Sequence, residues 1–228
     1  MIAVHHLENS RSQRILWLLE ELGLPYRVVH YARDKATMLA PPELRAVHPL
    51  GKSPVIVDED AGDGPLTIAE TGAIIEYLVG KADGRLGVPE AQIGAVPEAQ
   101  GASAPEAREA ALRYRYYLHY AEGSLMPPLL IKLVLGMIPV VGGFAQKKVQ
   151  PMIDVHLDFV ESELASRPWF AGDAFTAADV MMSFPLEAAR DRAGLDASRP
   201  ATTAWLEKIH ARPAYQAALA AGGPYRYA

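Results

Sequence analysis

Apolar residues recur with two different periods along the chain, and the period changes near residue 80. In the first part, short runs rich in β-branched and aromatic residues predict strands. These runs cover residues 2–6, 26–31, 55–57 and 66–68. Between them, apolar residues three or four positions apart predict helices. They are Ile15, Leu18, Leu19 and Leu22 and, later, Ala73, Ile74, Tyr77 and Leu78. The order of these elements predicts a small α/β domain without internal repeats.

The second part shows helical periodicity alone. Residues 80–105 are rich in Gly, Ala, Pro and Glu, which predicts a linker with a loose loop. Beyond the linker, spacings such as Ile153, Leu157, Val160 and Leu164 predict helices throughout. We therefore expect an α/β domain at residues 1–81, a linker at 82–104 and an all-α domain of about five helices at 105–228.

The clearest local signal in the helical part is a helix start at Thr176. Asp179 follows three residues later, which is the spacing of a capping box, and Phe175 and Val180 occupy the positions of a hydrophobic staple. The same spacing occurs at the first predicted helix, where Ser10 is followed by Gln13. A capping role is therefore one interpretation of Ser10.

The most apolar stretch of the chain is residues 125–145. It contains three prolines, a lysine and a Gly-Gly pair, so it makes a poor spanning helix, which needs about 20 clean apolar residues. We predict that this stretch is buried core. Loose association with a membrane surface stays open as the alternative.

Composition and charge exclude several classes of protein. The chain has 228 residues, of which 50% are hydrophobic, and a net charge of −5; this is typical of a globular protein and argues against a nucleic-acid binder. It has no cysteine, which excludes disulfides, thiolate metal sites and a nucleophilic cysteine. The N-terminus lacks a basic start and a long apolar run, so we expect a soluble cytoplasmic protein. A thiol in its chemistry must come from a substrate.

Three motifs in this order resemble those of the cytosolic glutathione S-transferase superfamily. They are residues 9–23 around the first predicted helix, residues 42–54, which end in the sequence HPLGKSP, and Glu70-Thr71 before a helix. The capping box at residues 176–179 fits the same pattern, and the first two motifs are similar to those of a bacterial and fungal branch. The resemblance implies an α/β thioredoxin-like N-terminal domain followed by an all-α C-terminal domain.

The resemblance also implies where glutathione binds. In the family, the proline that opens the third strand is cis, and the residue before it presents its backbone to the cysteinyl part of glutathione; here these residues are Pro54 and Ser53. Thr71 is expected to hold the γ-glutamyl carboxylate at a helix N-terminus, with Glu70 near the ammonium group. Lys52 either pairs with a glutathione carboxylate or is a solvated turn lysine. Without the resemblance, Pro54 would only open an edge strand.

The group that activates the thiol is a separate question. Lowering a thiol pKa from about 8.5 by about two units requires about 2.7 kcal/mol. A helix N-terminus contributes about 0.3–1 kcal/mol and a hydrogen bond to a charged group about 1.5–3 kcal/mol, so one donor is needed. The family uses a Tyr, Ser or Cys near the end of the first strand. This chain has no tyrosine before Tyr26, so Ser10 is the first candidate and Asn9 the second.

The resemblance further implies that Tyr114, Tyr117 and Met126 line a pocket for an apolar electrophile, with helix packing as the alternative for each. No metal-ligand spacing such as HExxH occurs, and no metal is expected. Two functions follow. The first is an enzyme that adds the thiolate of glutathione to a small apolar electrophile or reduces a hydroperoxide with glutathione. The second is a non-catalytic glutathione-binding or regulatory interaction module. The resemblance implies a homodimer, and neither nucleic acid nor an integral membrane segment is expected.

Overall fold

A computed structural model describes residues 1–88 and 104–228. The chain divides into two compact units. The first unit comprises Met1–Gly87 with His210–Arg226 and Ala228, and the second comprises Val88–Ile209 with Tyr227. Residues His210–Arg226 therefore belong to the first unit, whereas the expected division places all of residues 105–228 in one helical domain. The predicted linker at 82–104 falls largely on residues 89–103, which lie outside the described residues.

The first unit contains a four-stranded sheet of order β2-β1-β3-β4. The strands are β1 (Ile2–Leu7), β2 (Tyr26–Tyr31), β3 (Val55–Asp58) and β4 (Leu66–Ala69). β1 runs parallel to β2 and antiparallel to β3, and β4 is antiparallel to β3. All four predicted strands are confirmed. A sheet of this mixed order followed by helices agrees with the expected thioredoxin-like fold.

The helices alternate with the strands in the first unit and make up the second. In chain order they are α1 (Ser12–Leu22), α2 (Leu44–Val47), α3 (Thr71–Lys81), α4 (Ala104–Tyr120), α5 (Met126–Gly136), α6 (Gly142–Ser166), α7 (Ala177–Arg192), α8 (Pro200–His210) and α9 (Pro213–Gly222). A π-helical turn, Ala121–Leu125, joins α4 to α5. No helix in the described part of the chain is long and apolar enough to span a bilayer.

Helix α1 lies at the centre of the first unit. It packs against β1, α3 and α9, and for this reason its polar residues Ser12, Gln13 and Arg14 are as buried as its leucines. The helix ends at Gly23, whose φ of +59° lets its N–H group bond the carbonyls of the last turn. The apolar spacing predicted the helix, whereas the burial of its polar residues follows from packing on three sides.

The two predicted capping boxes have different outcomes. The box at Thr176 and Asp179 forms, with both reciprocal hydrogen bonds present. The box at Ser10 and Gln13 does not form: α1 begins at Ser12 without a side-chain cap, and both polar side-chain atoms of Gln13 are buried without a hydrogen-bond partner. The prediction for Ser10 and Gln13 is wrong because the Gln13 side chain packs against Gly222 of α9, where a Cβ atom would lie 2.6 Å from its Oε1.

The prediction of buried core for residues 125–145 is wrong for most of its length. Leu125, Met126 and Leu129 are buried. The apolar side chains beyond them are exposed, and they belong to Leu130, Ile131, Val134, Met137, Ile138, Val140, Val141 and Phe144. Gln146 and Gln150 bond Lys132 between α5 and α6, while these apolar side chains are left exposed.

Candidate functional site

The sheet order brings three separate segments of the first unit to one end of the sheet. β1 and β3 pair with His5 opposite Val55, so the end of β1 lies beside the start of β3. β3 and β4 pair with Val55 opposite Ala69, so the end of β4 lies there as well. The segments at residues 8–10, 51–54 and 70–71 are thus brought together. These are the segments that carry the predicted glutathione-site residues.

Ser53 ties the start of β3 to the end of β1. Its hydroxyl donates to the carbonyl of His5 at 2.8 Å and accepts the backbone N–H of Leu7 at 3.3 Å. The bond between Ser53 and Pro54 is cis, as the resemblance implies. Because its side chain is bound to β1, the position of Ser53 relative to the neighbouring strand is defined.

The start of α3 forms a second part of the site. Thr71 is buried and its hydroxyl accepts a hydrogen bond from the guanidinium of Arg14 at 3.3 Å. Glu70 is exposed and has a φ of +70°, a conformation that non-glycine residues adopt at a cost of about 1–3 kcal/mol. A buried guanidinium beside a helix N-terminus adds positive charge to a place that already favours anions. The arrangement suits a carboxylate.

Asn9 lies in the turn that follows β1. Its φ is +50°, which asparagine tolerates better than most residues. Its side-chain Oδ1 accepts the backbone N–H of Arg226 at 2.8 Å, and its carbonyl accepts a hydrogen bond from Arg33 at 3.2 Å. The Oδ1 atom is thus occupied, so the NH₂ group is the part of this side chain left to act as a donor.

Ser10 belongs to a chain of three polar side chains. Its hydroxyl lies 2.8 Å from that of Ser12, and the Ser12 hydroxyl lies 2.9 Å from Nδ1 of His6. Ser10 also accepts the backbone N–H of Ser12 at 3.2 Å. Burial, together with the nearby His30, lowers the pKa of His6 to about 4, so this ring is neutral at pH 7.

Lys52 follows a tight turn. Gly51 has a φ of +58°, and a Cβ atom there would lie 2.6 Å from the side chain of Arg45, so glycine is required on both grounds. Lys52 itself is exposed. Its placement is compatible both with an ion pair to a bound carboxylate and with a solvated turn lysine.

Comparison with known proteins identifies the family. Residues 10–80 match the glutathione S-transferase N-terminal domain, and residues 126–213 match the glutathione S-transferase C-terminal domain. Glutathione S-transferase 3 of Schizosaccharomyces pombe is 36% identical over 203 residues, which are 83% of this chain and 75% of the relative. The chain belongs to the glutathione S-transferase family.

Two further relatives cover almost the whole chain. Glutathione S-transferase 1 of Saccharomyces cerevisiae is 34% identical over 95% of this chain and 93% of its own. A glutathione S-transferase of known structure from Actinobacillus pleuropneumoniae is 33% identical, has a TM-score of 0.79, and is matched over 100% of this chain and 95% of its own. The predicted superfamily and fold are confirmed.

In this glutathione S-transferase the residues expected at the electrophile pocket are buried in the helical unit. Tyr114, Tyr117 and Met126 are all largely shielded from solvent. The hydroxyl of Tyr117 donates to Glu163 at 2.8 Å, and its ring lies 4.6 Å from that of Phe170. These contacts are those of core packing, and a role in substrate binding stays a prediction for all three residues.

Several residues around the site were not found from the sequence. His6 and Ser12 extend the polar chain from Ser10, Arg14 reaches Thr71, and Arg33 holds the turn at Asn9. Arg33 reaches this turn because parallel pairing of β1 with β2 places the residues after Tyr31 beside those after Leu7. Within residues 1–88 and 104–228 no group of three His, Asp or Glu side chains could hold a metal ion.

Proposed function

We propose that the protein binds glutathione at the shared end of β1, β3 and β4 and adds its thiolate to small apolar electrophiles. The observation that carries the proposal is the meeting of three segments in one unit: the turn at Asn9 and Ser10, the cis Ser53–Pro54 bond, and the start of α3. Membership of the glutathione S-transferase family supports the same ligand. We also propose, from the family, that the protein acts as a homodimer in the cytoplasm.

Each segment has a separate task in this proposal. The γ-glutamyl carboxylate binds the N–H groups at the start of α3, next to Thr71 and the guanidinium that bonds it. The carboxylate of Glu70 faces solvent at the same place and receives the ammonium group. The cysteinyl backbone lies along Ser53, whose position is set by its bonds to β1.

The polar chain supports Asn9 rather than Ser10 as the group that faces the thiol. His6 has a backbone hydrogen bond to Gly222 that favours its protonated form, which means that a ring N–H donates to the carbonyl. The neutral ring then accepts at Nδ1, and the hydroxyl of Ser12 donates to it. Ser12 has no second hydrogen, so Ser10 donates to Ser12. The hydrogen of Ser10 is used within the protein.

Asn9 is therefore the better donor to the thiolate. The backbone N–H of Arg226 donates to the Oδ1 atom of Asn9, which leaves the NH₂ group to donate to the thiolate. A hydrogen bond to a charged group contributes about 1.5–3 kcal/mol, which is of the size needed to ionise the thiol at pH 7. This reverses the preference of the sequence, in which Ser10 came first.

The test compares Asn9→Ala, Asn9→Asp and Ser10→Ala in the pH dependence of kcat/KM with glutathione and a chromogenic halo-aromatic. We expect Asn9→Ala to lower the rate at pH 7 by about 10- to 100-fold and to raise the apparent pKa of the bound thiol. Asn9→Asp keeps the turn but has no amide donor, so it should lose at least as much. A raised thiol pKa in Ser10→Ala alone would assign the donor to Ser10.

Retention on immobilised glutathione separates binding from catalysis. Retention without turnover of a halo-aromatic or of a hydroperoxide would favour a non-catalytic glutathione-binding or regulatory module. Loss of retention in Thr71→Ala, with the fold intact by circular dichroism, is expected if the start of α3 holds the carboxylate. Sedimentation velocity of the purified protein tests the homodimer.

A further inference from the structure

The hairpin formed by α5, the turn Met137–Val141 and the start of α6 is joined by polar contacts and exposes most of its large apolar side chains. Gln146 donates to the carbonyl of Lys132 at 2.8 Å, and Gln150 bonds the Lys132 ammonium group from the other side. A Cβ on Gly136 would lie 2.4 Å from Gln146, which shows how closely the two helices approach. Polar contacts thus join the two helices.

Large apolar side chains are exposed from α5 through the turn to the start of α6. Eight large apolar side chains there are exposed, namely Leu130, Ile131, Val134, Met137, Ile138, Val140, Val141 and Phe144. Single exposed apolar residues are ordinary, but contiguous patches of this kind mark interaction sites on proteins. The patch lies entirely within the second unit.

The turn Met137–Val141 at the tip of the hairpin has a defined backbone conformation. The N–H group of Val141 bonds the carbonyl of Pro139 at 2.8 Å, which closes a three-residue turn around Val140. Val140 has a φ of +67° and is fully exposed, a conformation that is a genuine outlier for a β-branched residue. Gly142 packs so tightly that a Cβ there would lie 2.1 Å from the carbonyl oxygen of Leu135. The turn therefore presents a valine to solvent where glycine or asparagine would fit with less strain.

The charge of this segment is opposite in sign to that of the chain. Residues 123–153 contain three lysines and no acidic residue, whereas the whole chain has a net charge of −5. Lys147 and Lys148 are exposed immediately after the apolar tip, and Nζ of Lys148 lies 5.3 Å from the centroid of the Phe144 ring. Apolar side chains next to lysines are the pattern of segments that lie in the interface of an anionic membrane.

We propose that this hairpin docks on an anionic lipid surface, with the side chains around Val140 and Phe144 in the acyl boundary and Lys147 and Lys148 at the phosphates. The lysines favour this occupant over a second copy of the chain, because a symmetric contact through the same patch would place like charges together. The proposal is independent of the glutathione site.

The test is co-sedimentation of the full chain with vesicles of phosphatidylcholine alone and of phosphatidylcholine mixed with phosphatidylglycerol. We expect binding to the mixed vesicles that weakens with added salt, and little binding to the neutral ones. Lys147→Gln combined with Lys148→Gln should weaken partitioning by about tenfold or more, since each lysine near an anionic surface contributes about fivefold. Phe144→Asp should abolish binding.

Two variants control for the loss of any exposed apolar side chain and for misfolding. Leu39→Asp removes an equally exposed apolar side chain in the first unit, at 66% exposure against 68% for Phe144, and should bind vesicles like the wild type. Val140→Gly relieves the backbone strain, so it folds, yet it should bind vesicles more weakly. Equal binding of wild type and Val140→Gly to the mixed vesicles, or absent binding of the wild type, would overturn the proposal. A change of sedimentation coefficient in Phe144→Asp without vesicles would assign the patch to self-association instead.

Discussion

The starts of helices α1 and α7 share a sequence pattern and differ in what their polar side chains do. At α7, Thr176 and Asp179 bond each other reciprocally, and the carboxylate also accepts hydrogen bonds from the backbone of Phe170 and the indole of Trp205. At α1, the hydroxyl of Ser10 turns to Ser12, and the amide of Gln13 has no hydrogen-bond partner.

The difference distinguishes a helix start with a closed capping box from one without it. A closed box uses its donors and acceptors within the protein and stabilises the fold. The start of α1 leaves its box open, and the neighbouring Asn9 keeps an amide donor available. A box pattern in a sequence thus identifies a helix start but not its role.

The largest expected effect is the loss of Asp179. Asp179→Ala removes the acceptor of several buried hydrogen bonds, so we expect the free energy of unfolding to fall by about 4 kcal/mol. Urea denaturation measures this loss. Asp158→Ala is the control, because this exposed carboxylate pairs only at the surface with Arg199, and it should cost less than about 1 kcal/mol. Equal losses in the two variants would contradict the structural role of the box.

Acid should change the free energy of unfolding in opposite directions through His6, which bonds the start of α1, and through Asp179 at the start of α7. Burial lowers the pKa of His6 to about 4, so the unfolded chain binds the proton first and stability falls as the pH drops from about 6.5 to about 4. Burial raises the pKa of Asp179 to about 6, against the effect of its hydrogen bonds. The folded chain then binds the proton first, and stability rises as the pH drops from about 6 to about 4.

Each shift corresponds to about 3 kcal/mol over its window. Urea denaturation of the wild type, His6→Asn and Asp179→Asn as a function of pH separates the two contributions. His6→Asn should be less sensitive to acid than the wild type, and Asp179→Asn more sensitive. Parallel pH profiles for all three proteins would show that neither group titrates as stated.

The smallest expected effect is a gain in the free energy of unfolding, whereas the first prediction is a loss. Gln13 occupies the same position in its motif as Asp179, but its buried amide lacks a partner, so Gln13→Met should raise the free energy of unfolding by about 1–2 kcal/mol. Gln216→Met, at an exposed glutamine on α9, should show no such gain. Destabilisation by Gln13→Met would mean that the amide is satisfied after all and that the contrast between the two helix starts is smaller.

The strands, the helix at α1 and the box at Thr176 could be predicted from the sequence because each depends on residues close along the chain. The hairpin after Leu125 could not. Its apolar content predicted a buried segment, but Gln146 and Gln150 bond Lys132 between α5 and α6, and most large apolar side chains of the hairpin are exposed. Which face of an apolar helix is covered depends on what packs against it.

The same division holds for the site. The sequence alone determined the α/β and all-α parts, the family resemblance and the segments at Asn9, Ser53 and Glu70, since local spacing and short motifs carry that information. The tertiary structure decided how these segments combine: antiparallel pairing of β1, β3 and β4 brings them to one end of the sheet. It also set the hydrogen bonds of Ser10 and Asn9, because the first bonds Ser12 and the second bonds Arg226, more than 200 residues further along the chain.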